Sequence, residues 1–364
     1  METPNRNWNM SDPNTENTVV ISDENREFDG DDLLATLPLK PQDRYKFIRS
    51  IGFGGMKGVL LVHDRDTGRD IAMAIMPDFR DRPIRDLNRF VREARITASL
   101  EHPNIVPVYD IGIDALGSPF FTMKYLHGCT LAMILHRLRS GDPETIQDYS
   151  QNRLMQVFLR VCNAVAFAHS RNICHFDLKP GNIYCGDFGE VQVIDWGLAG
   201  PESDACESGR MKGTPGYMAP ELLVTGGKAG KSSDIYALGA ILYAILTLDS
   251  PCAGLPQQEI LRRTAAGKIE PPSLVGQNVS SGLEAICLKA MALRPEDRYA
   301  NAVELRREIQ ETLSGYAAKA ENASAMRNAL LFVRRNIYAV IIFVLLLITG
   351  LLTYLVLHFY KQIL

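Results

Sequence analysis

The chain has 364 residues, of which 46% are hydrophobic and 22% are charged, enough for one large domain of about 270 residues with a substantial core, plus tails. The formal net charge is only −3, which excludes a global positive field, so we expect no nucleic acid partner. Seven cysteines lie far apart without a CxxC pair, which excludes the usual zinc-ligand spacings.

Residues 1–42 form a polar segment at the start of the chain. They are rich in Asn, Asp, Glu, Ser and Thr and hold few apolar side chains that could close a core. This composition predicts a disordered, acidic and polar leader. An interaction tail is the alternative that the composition leaves open.

A glycine-rich turn follows the leader. Two alternating apolar runs, 45–51 and 58–62, flank the sequence Gly52-Phe53-Gly54-Gly55-Met56-Lys57. Glycine lets backbone N–H groups approach a phosphate closely, so the pattern indicates a hairpin that can cover phosphates. Hairpins also use glycine for tight turns alone, and this motif is weak evidence by itself.

A strand, a helix and a second strand come next. Residues 71–76 are apolar, and Leu87, Phe90 and Ala94 recur at helical spacing, with Glu93 on the same helix. Residues 120–126 form a further apolar strand. We expect these elements to build a small lobe from strands and one helix.

Residues 175–197 carry the chemistry and read HFDLKPGNIYCGDFGEVQVIDWG. Asp177, Lys179 and Asn182 precede an alternating apolar stretch that ends in Asp195. This set suits phosphoryl transfer: a carboxylate to accept a hydroxyl proton, a cation to steady the moving group, and two oxygen ligands for Mg²⁺.

This stretch resembles the catalytic loop and the metal-binding aspartate of protein kinases, a signature written HRDLKPxN followed by DFG. Phe176 stands in place of the arginine and Trp196 in place of the phenylalanine. A literal DFG at 187–189 begins only five residues after Asn182, so we expect it to be a hairpin turn. The spacing assigns the metal ligand to Asp195 instead.

The resemblance implies an α+β, bilobal kinase fold that uses ATP and Mg²⁺. Asp177 would be the catalytic base, Lys179 the cation at the phosphoryl group, and Asn182 and Asp195 the Mg²⁺ ligands. Met123 would be the gatekeeper, and Leu126 would offer backbone hydrogen bonds to adenine. The residues that the resemblance assigns to the nucleotide are Ile51, Gly52, Gly54, Val59, Ala72, Met123, Leu126 and Tyr184.

Two departures from the family pattern concern the nucleotide phosphates. Ala74 stands where the family has a lysine that bridges the phosphates and the glutamate of the helix, here Glu93. Lys57 stands where the glycine loop has its third glycine, which resembles the with-no-lysine kinases. We expect Lys57 to supply the missing ammonium from the neighbouring strand. The alternative is a decayed loop in which Lys57 faces solvent.

Downstream motifs resemble the activation segment of the same family. Residues 213–221 end in Ala-Pro-Glu, and Thr214 together with Lys179 resembles serine/threonine rather than tyrosine kinases. Asp234 and Arg298 match structural anchors of the fold, and the resemblance pairs Arg298 with Glu221.

The C-terminal part predicts a membrane span. Residues 337–357 contain no charge, and at about 1.5 Å per residue they can cross a hydrocarbon core of about 30 Å. Arg327, Arg334 and Arg335 precede this run and Lys361 follows it. The positive-inside bias places the large domain in the cytoplasm.

We therefore predict a single-pass serine/threonine protein kinase of the bacterial type with a trailing transmembrane helix, in the inner membrane. The kinase domain would span 43–313, a juxtamembrane linker 314–336, and a short tail 358–364. Its partners would be protein substrates and the membrane, and self-association is left open. The alternative is an inactive pseudokinase that acts as a membrane-tethered scaffold.

Overall fold

The computed structural model describes residues 19–21, 33–41, 43–53, 57–202, 211–224, 227–276, 278–321 and 323–363. A small lobe built on a β-sheet is followed by a larger, mostly helical lobe and by a long apolar helix at the C-terminus. This architecture confirms the predicted α+β, bilobal fold class.

The described strands build one sheet in the small lobe and shorter sheets elsewhere. They are β1 (Val19–Ile21), β2 (Tyr45–Phe53), β3 (Gly58–Asp64), β4 (Arg69–Ile75), β5 (Val108–Ile113), β6 (Pro119–Met123), β7 (Gly128–Thr130), β8 (Ile173–Cys174), β9 (Ile183–Gly186), β10 (Val191–Val193), β11 (Gly200–Pro201) and β12 (Met211–Gly213). The sheet of the small lobe is antiparallel, with the strand order β2-β3-β4-β6-β5. The other sheets have two or three strands each.

Most helices belong to the large lobe, and in the described part of the chain α1 (Ile84–Ser99) is the helix that packs on the sheet of the small lobe. Short 3₁₀ turns, among them Leu33–Thr36 and Pro180–Asn182, connect several elements. The helices are α1 (Ile84–Ser99), α2 (Leu131–Arg139), α3 (Pro143–Asp148), α4 (Gln151–Ser170), α5 (Lys231–Thr247), α6 (Gln257–Ala265), α7 (Pro272–Val275), α8 (Ser281–Ala290), α9 (Ala302–Leu313), α10 (Ala325–Arg335) and α11 (Ile337–Ile363).

Helix α1 packs on the sheet through the apolar stripe that the sequence predicts. Leu87, Phe90 and Ala94 are buried against Ala74 and Phe121 of strands β4 and β6. The rings of Phe90 and Phe121 lie 5.1 Å apart. Because Glu93 shares this helix, packing of the stripe also fixes where its carboxylate lies.

Part of the segment predicted to be a disordered leader packs against the small lobe. Leu37 is buried and Leu34 packs against the cluster under α1. At the end of β5, the Ile113 carbonyl accepts the backbone N–H of Lys40, and the Ile113 N–H donates to the Pro38 carbonyl. The Lys40 ammonium also binds Asp110 at 2.7 Å. Residues 33–41 are therefore part of the small lobe. Burial of Leu34 and Leu37 holds the segment there, and two leucines hardly change the polar average composition of residues 1–42. Residues 1–18 and 22–32 lie outside the described part.

Helix α5 forms the centre of the large lobe. It is apolar on all sides, as expected for a helix that other elements surround, and its residues from Ser233 to Leu246 are buried. Helices α4 and α8 pack against it, and α9 packs against both of them. This core holds the loop that follows α4 and β8, which carries the predicted catalytic residues Asp177 and Lys179.

The C-terminal segment is helical almost throughout. Helix α10 ends at Arg335, and after Asn336 helix α11 begins at Ile337. Within α11, residues Ile337–Leu355 are long and apolar enough to span a membrane, and none of that span is buried by the rest of the protein. The predicted span 337–357 begins at the same residue.

Candidate active site

Asp234 of helix α5 fixes the start of the catalytic loop. Its carboxylate accepts the backbone N–H groups of His175 and Phe176 at 2.8 and 2.9 Å, and it binds the Nε2 atom of His169 at 2.8 Å. Phe176 has φ 63°, a left-handed conformation that a non-glycine residue adopts only where contacts hold it. A buried carboxylate with three partners provides that hold.

Asp177, Lys179 and Thr214 form a compact buried cluster. The Thr214 hydroxyl donates to Asp177 Oδ1 at 2.7 Å and accepts from Lys179 Nζ at 2.8 Å. Lys179 also lies 3.2 Å from Asp177 Oδ2. The structure thus brings together three predicted site residues, two from the catalytic loop and one from the activation segment.

Asn182 and Asp195 lie beside this cluster. The Asn182 amide nitrogen donates to the Asp177 carbonyl at 2.8 Å, which leaves the amide oxygen as an acceptor. The backbone N–H of Ile194 donates to the Asn182 carbonyl at 2.9 Å, which ties the two loops together. Amide and carboxylate oxygens are ligands that suit Mg²⁺, so this donor set fits the metal that the motif implies.

The literal DFG sequence lies in the turn between β9 and β10, as predicted. These strands pair antiparallel, with Val191 opposite Cys185, so residues 187–190 form the hairpin end. Phe188 is 88% exposed and Gly189 has φ 84°. In contrast, Trp196 is buried, and its ring lies 4.6 Å from that of His175. The DWG sequence therefore takes the packed position.

Phe176 occupies an apolar environment. It is buried in a small cluster with Cys174 and Ala229, and Leu198 packs against this cluster. An arginine at this position would place a guanidinium where a phosphate of the activation segment could bind it. The phenylalanine offers no such partner, so the loop is ordered here by Asp234 and by apolar contacts.

Lys57 of the small lobe contacts two carboxylates, Glu93 and Asp195, at the interface between the lobes. Its Nζ atom donates to Glu93 Oε1 and, at 2.7 Å, to Asp195 Oδ1. Glu93 is buried on α1, while the Lys57 side chain is one quarter exposed. The ammonium thus does not face solvent freely, which is the arrangement expected from a relocated lysine.

The charges in this triad shift one another. Burial raises the pKa of Glu93, and the nearby ammonium offsets only part of that rise. The Lys57 ammonium holds the pKa of Asp195 below its usual range. Burial alone would lower the pKa of Lys57, but the two carboxylates outweigh it and raise that pKa. Lys57 is therefore charged at every physiological pH.

Ala74 is fully buried in the middle of the small-lobe sheet. It pairs with Val59 on one side and with Phe121 on the other. The space next to it is filled by the apolar cluster of Met76, Leu87, Phe90, Ala94 and Phe121. The strand position that the family gives to a lysine therefore holds a buried alanine, and the ammonium that contacts Glu93 is that of Lys57.

The residues assigned to the nucleotide come from both lobes. Gly52 pairs with Val59 and Ala72 pairs with Met123, so these four lie on adjacent strands. Tyr184 rises from β9 of the large lobe, and its hydroxyl donates to the Gly128 carbonyl at 2.8 Å, which fixes the ring. Ile51 and Leu126 are half-buried. Gly54 lies outside the described residues.

One positioning residue escaped the sequence analysis. His175 accepts the backbone N–H of Asp177 at its Nδ1 atom, 3.2 Å away, and its Nε2 atom lies 3.3 Å from the Ile194 carbonyl. It therefore spans the two loops that carry the predicted base, Asp177, and the predicted metal ligand, Asp195. Its place at the start of the HFD triplet is the only sequence signal for this role.

The activation segment ends in a buried ion pair. Two nitrogens of Arg298 donate to the two carboxylate oxygens of Glu221, at 2.8 and 2.7 Å. The same guanidinium also donates to the carbonyls of Ser232, Ala292 and Leu293. The pair predicted from the sequence is present, and it joins the activation segment to the turn before α9.

This fold and this arrangement of side chains define a protein kinase domain. The family model described as protein kinase domain matches residues 45–309. The chain therefore belongs to the protein kinase family.

The chain is also similar to several curated relatives. The serine/threonine-protein kinase PknD of Protochlamydia amoebophila (strain UWE25) is 37% identical over 306 residues, which cover 77% of this chain and 31% of the relative. That of Chlamydia pneumoniae is 36% identical over 297 residues, 75% of this chain and 31% of the relative. That of Chlamydia trachomatis serovar D is 36% identical over 301 residues, which cover 75% of this chain and 32% of the relative. The chain spans about a third of the length of these relatives.

Proposed function

We propose that the protein is an active serine/threonine protein kinase that transfers the γ-phosphoryl group of ATP to protein hydroxyls. The contact of Lys57 with Glu93 and Asp195 carries this proposal. In a decayed nucleotide site Lys57 would face solvent, whereas its ammonium contacts both carboxylates that an active site needs. The relatives named serine/threonine-protein kinase support the same class of activity.

The reaction needs a base beside the acceptor hydroxyl. Asp177 can accept that proton because its carboxylate is fixed by Thr214 and by the Asn182 amide. Lys179 lies 3.2 Å from the same carboxylate and can steady negative charge on the transferred group. The segment that carries Thr214 thereby links substrate binding to the position of the base.

The phosphates need positive charge and a closed site. Lys57 would hold the phosphate oxygens from above, and Glu93 would keep its ammonium in place. Asn182 and Asp195 would bind Mg²⁺, which neutralises the phosphate charge when it is bound. The strands that carry Val59, Ala72 and Met123 would exclude water from the adenine side.

We also propose that helix α11 anchors the kinase in a membrane, with the kinase domain in the cytoplasm. The apolar span Ile337–Leu355 and the arginines just before it support this orientation. In a bacterial cell this would be the inner membrane. Protease treatment of sealed vesicles tests the topology, since a protected kinase domain would refute it.

The activity is tested with the full chain purified in detergent. Transfer of labelled phosphate from Mg²⁺-ATP to a generic protein such as casein, and to the chain itself, should be measured beside an Asp177→Asn control. Transfer by wild type and none by the variant supports the proposal. A wild type that neither binds Mg²⁺-ATP nor transfers phosphate favours the scaffold function instead, which the absent strand lysine at Ala74 would then explain.

A further inference from the structure

A cavity of about 500 Å³ lies between the large lobe and helix α10, which directly precedes the apolar helix α11. The large lobe contributes the start of α4, the start of α8 and the end of α9. Helix α10 contributes Arg327, Leu331 and Arg334, which share one face because they are four and three residues apart. None of these residues belongs to the active site.

The cavity is lined by three arginines and one carboxylate. Arg327 Nε lies 3.3 Å from Glu321, so one positive charge is compensated. The guanidinium of Arg335 lies over the Tyr316 ring, 3.9 Å from its centre. Among the described residues, no carboxylate lies within ion-pair distance of Arg334 or Arg335. Two positive charges are therefore available to an anion.

Two helix starts add to this positive field. Gln151 and Asn152 are the first residues of α4, and Gly282 is the second of α8. Backbone N–H groups in the first turn of a helix have no partner within the helix and carry partial positive charge. The arginines remain the main feature, and these groups strengthen the preference for an anion.

A neighbouring face of α10 is apolar and exposed. Met326, Leu330 and Val333 recur at helical spacing, and 83%, 60% and 39% of their surfaces are exposed. A helix that carries arginines beside an exposed apolar face suits the interface of a membrane. The cavity itself also holds the apolar side chains of Leu313 and Leu331. Its lining thus fits an amphiphile better than a small ion.

We propose that this cavity binds the headgroup of an anionic phospholipid from the membrane in which α11 lies. Arg334 and Arg335 would bind the phosphate, and the acyl chains would run along the start of α11. This inference rests on the proposed membrane anchor, because only an inserted α11 brings lipid headgroups to the level of α10. The bound lipid would hold the large lobe against the membrane surface.

The test uses the full chain purified in a neutral detergent. Wild type and variants are titrated with phosphatidylglycerol or phosphatidylcholine, and bound lipid is counted by native mass spectrometry. Wild type should bind phosphatidylglycerol preferentially. Each of Arg334→Gln and Arg335→Gln should weaken that binding about fivefold, since one basic residue near an anionic lipid is worth roughly 1 kcal/mol. The matched control is Arg307→Gln, an exposed arginine of α9 that does not line the cavity.

Three results would overturn the proposal: equal binding of the two lipids, double-variant binding as tight as wild type, or displacement of the lipid by millimolar inorganic phosphate. The last result would show a phosphate site rather than a lipid site. Carbonate extraction of membranes tests the anchor separately. A chain that carbonate removes contradicts the anchor, whereas a retained chain without lipid preference contradicts only the cavity proposal.

Discussion

Replacing Lys57 by alanine tests the central feature of the site. The change removes one ammonium that donates to two carboxylates, and it leaves Glu93 and Asp195 without their shared counter-charge. The backbone of β3 and the packing around Ala74 are untouched, because the Lys57 side chain reaches away from the sheet core toward the lobe interface. We therefore expect a loss of activity with little loss of fold.

The magnitude follows from what the ammonium does. Losing one preorganised charged donor costs roughly 2 to 4 kcal/mol of transition-state stabilisation, which lowers the rate about 10²- to 10³-fold. The free energy of unfolding should change by only about 1 kcal/mol, because Lys57 is partly exposed and water screens its pairs. The pKa of Glu93 should rise further, since the ammonium is what offsets its burial.

The assay is labelled phosphate transfer from Mg²⁺-ATP, with the melting temperature recorded beside it. Lys46→Ala is the matched control, because Lys46 is an exposed lysine on the neighbouring strand β2 of the same lobe. The double variant Lys57→Gly with Ala74→Lys returns the ammonium to the family position. It should recover part of the lost activity if the new side chain reaches Glu93 from β4.

Lys57 does not hold the nucleotide phosphates if Lys57→Ala retains activity within a factor of about two of wild type while Lys46→Ala behaves alike. The reasoning also fails if Ala74→Lys alone creates activity in an otherwise silent chain. The first outcome would mean that the contacts of Lys57 are incidental to catalysis. The second would favour the scaffold function for the natural chain.

Further predictions concern the metal ligand, acid stability and the buried ion pair. Asp195→Asn should abolish Mg²⁺-dependent nucleotide binding, whereas Asp187→Asn, in the exposed hairpin turn, should change it little; titration calorimetry compares the two. A bidentate pair with an arginine lowers the pKa of the buried Asp64 to about 2, below its usual 3.8. The stabilisation from this pair is therefore present above about pH 4 and is lost as the pH falls toward 2. Asp64→Asn should lower the free energy of unfolding by about 1 to 2 kcal/mol at neutral pH and flatten the acid limb of an unfolding curve followed by fluorescence. The control Asp66→Asn, at a more exposed carboxylate, should do neither. Arg298→Met leaves a buried carboxylate unpaired and should lower the free energy of unfolding by about 3 to 5 kcal/mol in urea titrations; a loss below about 1 kcal/mol would contradict the structural role of that pair.

The catalytic loop could be predicted because its spacing is local. Asp177, Lys179 and Asn182 lie within six residues, and their order and spacing match the family signature. The choice of Asp195 over Asp187 also followed from local signals, a strand-like run before one and a turn around the other. The structure places Asp187 in the turn between β9 and β10 and Asp195 after β10, as predicted, and the role of Asp195 as metal ligand stays a prediction.

Contacts between distant residues were harder to predict. The sequence raised Lys57 as a candidate, but its bond to Asp195 joins residues 138 positions apart, and only folding brings them together. The segment 33–41 was assigned to the polar leader because two leucines hardly change an average. The backbone of this segment pairs with the end of β5, which is an edge strand of the sheet. The amino-acid composition of the segment does not predict that such an edge is available.

The position of Lys57 in the β2–β3 hairpin links charge to nucleotide exchange. A lysine on a central strand would stay near its glutamate during a movement of the β2–β3 hairpin, but an ammonium carried by that hairpin moves with it. If the hairpin lifts to release nucleotide, Glu93 and Asp195 are left facing each other as like charges across the lobe interface. Opening would then carry an electrostatic cost that salt reduces. The release of product from this kinase should accordingly be faster at high ionic strength.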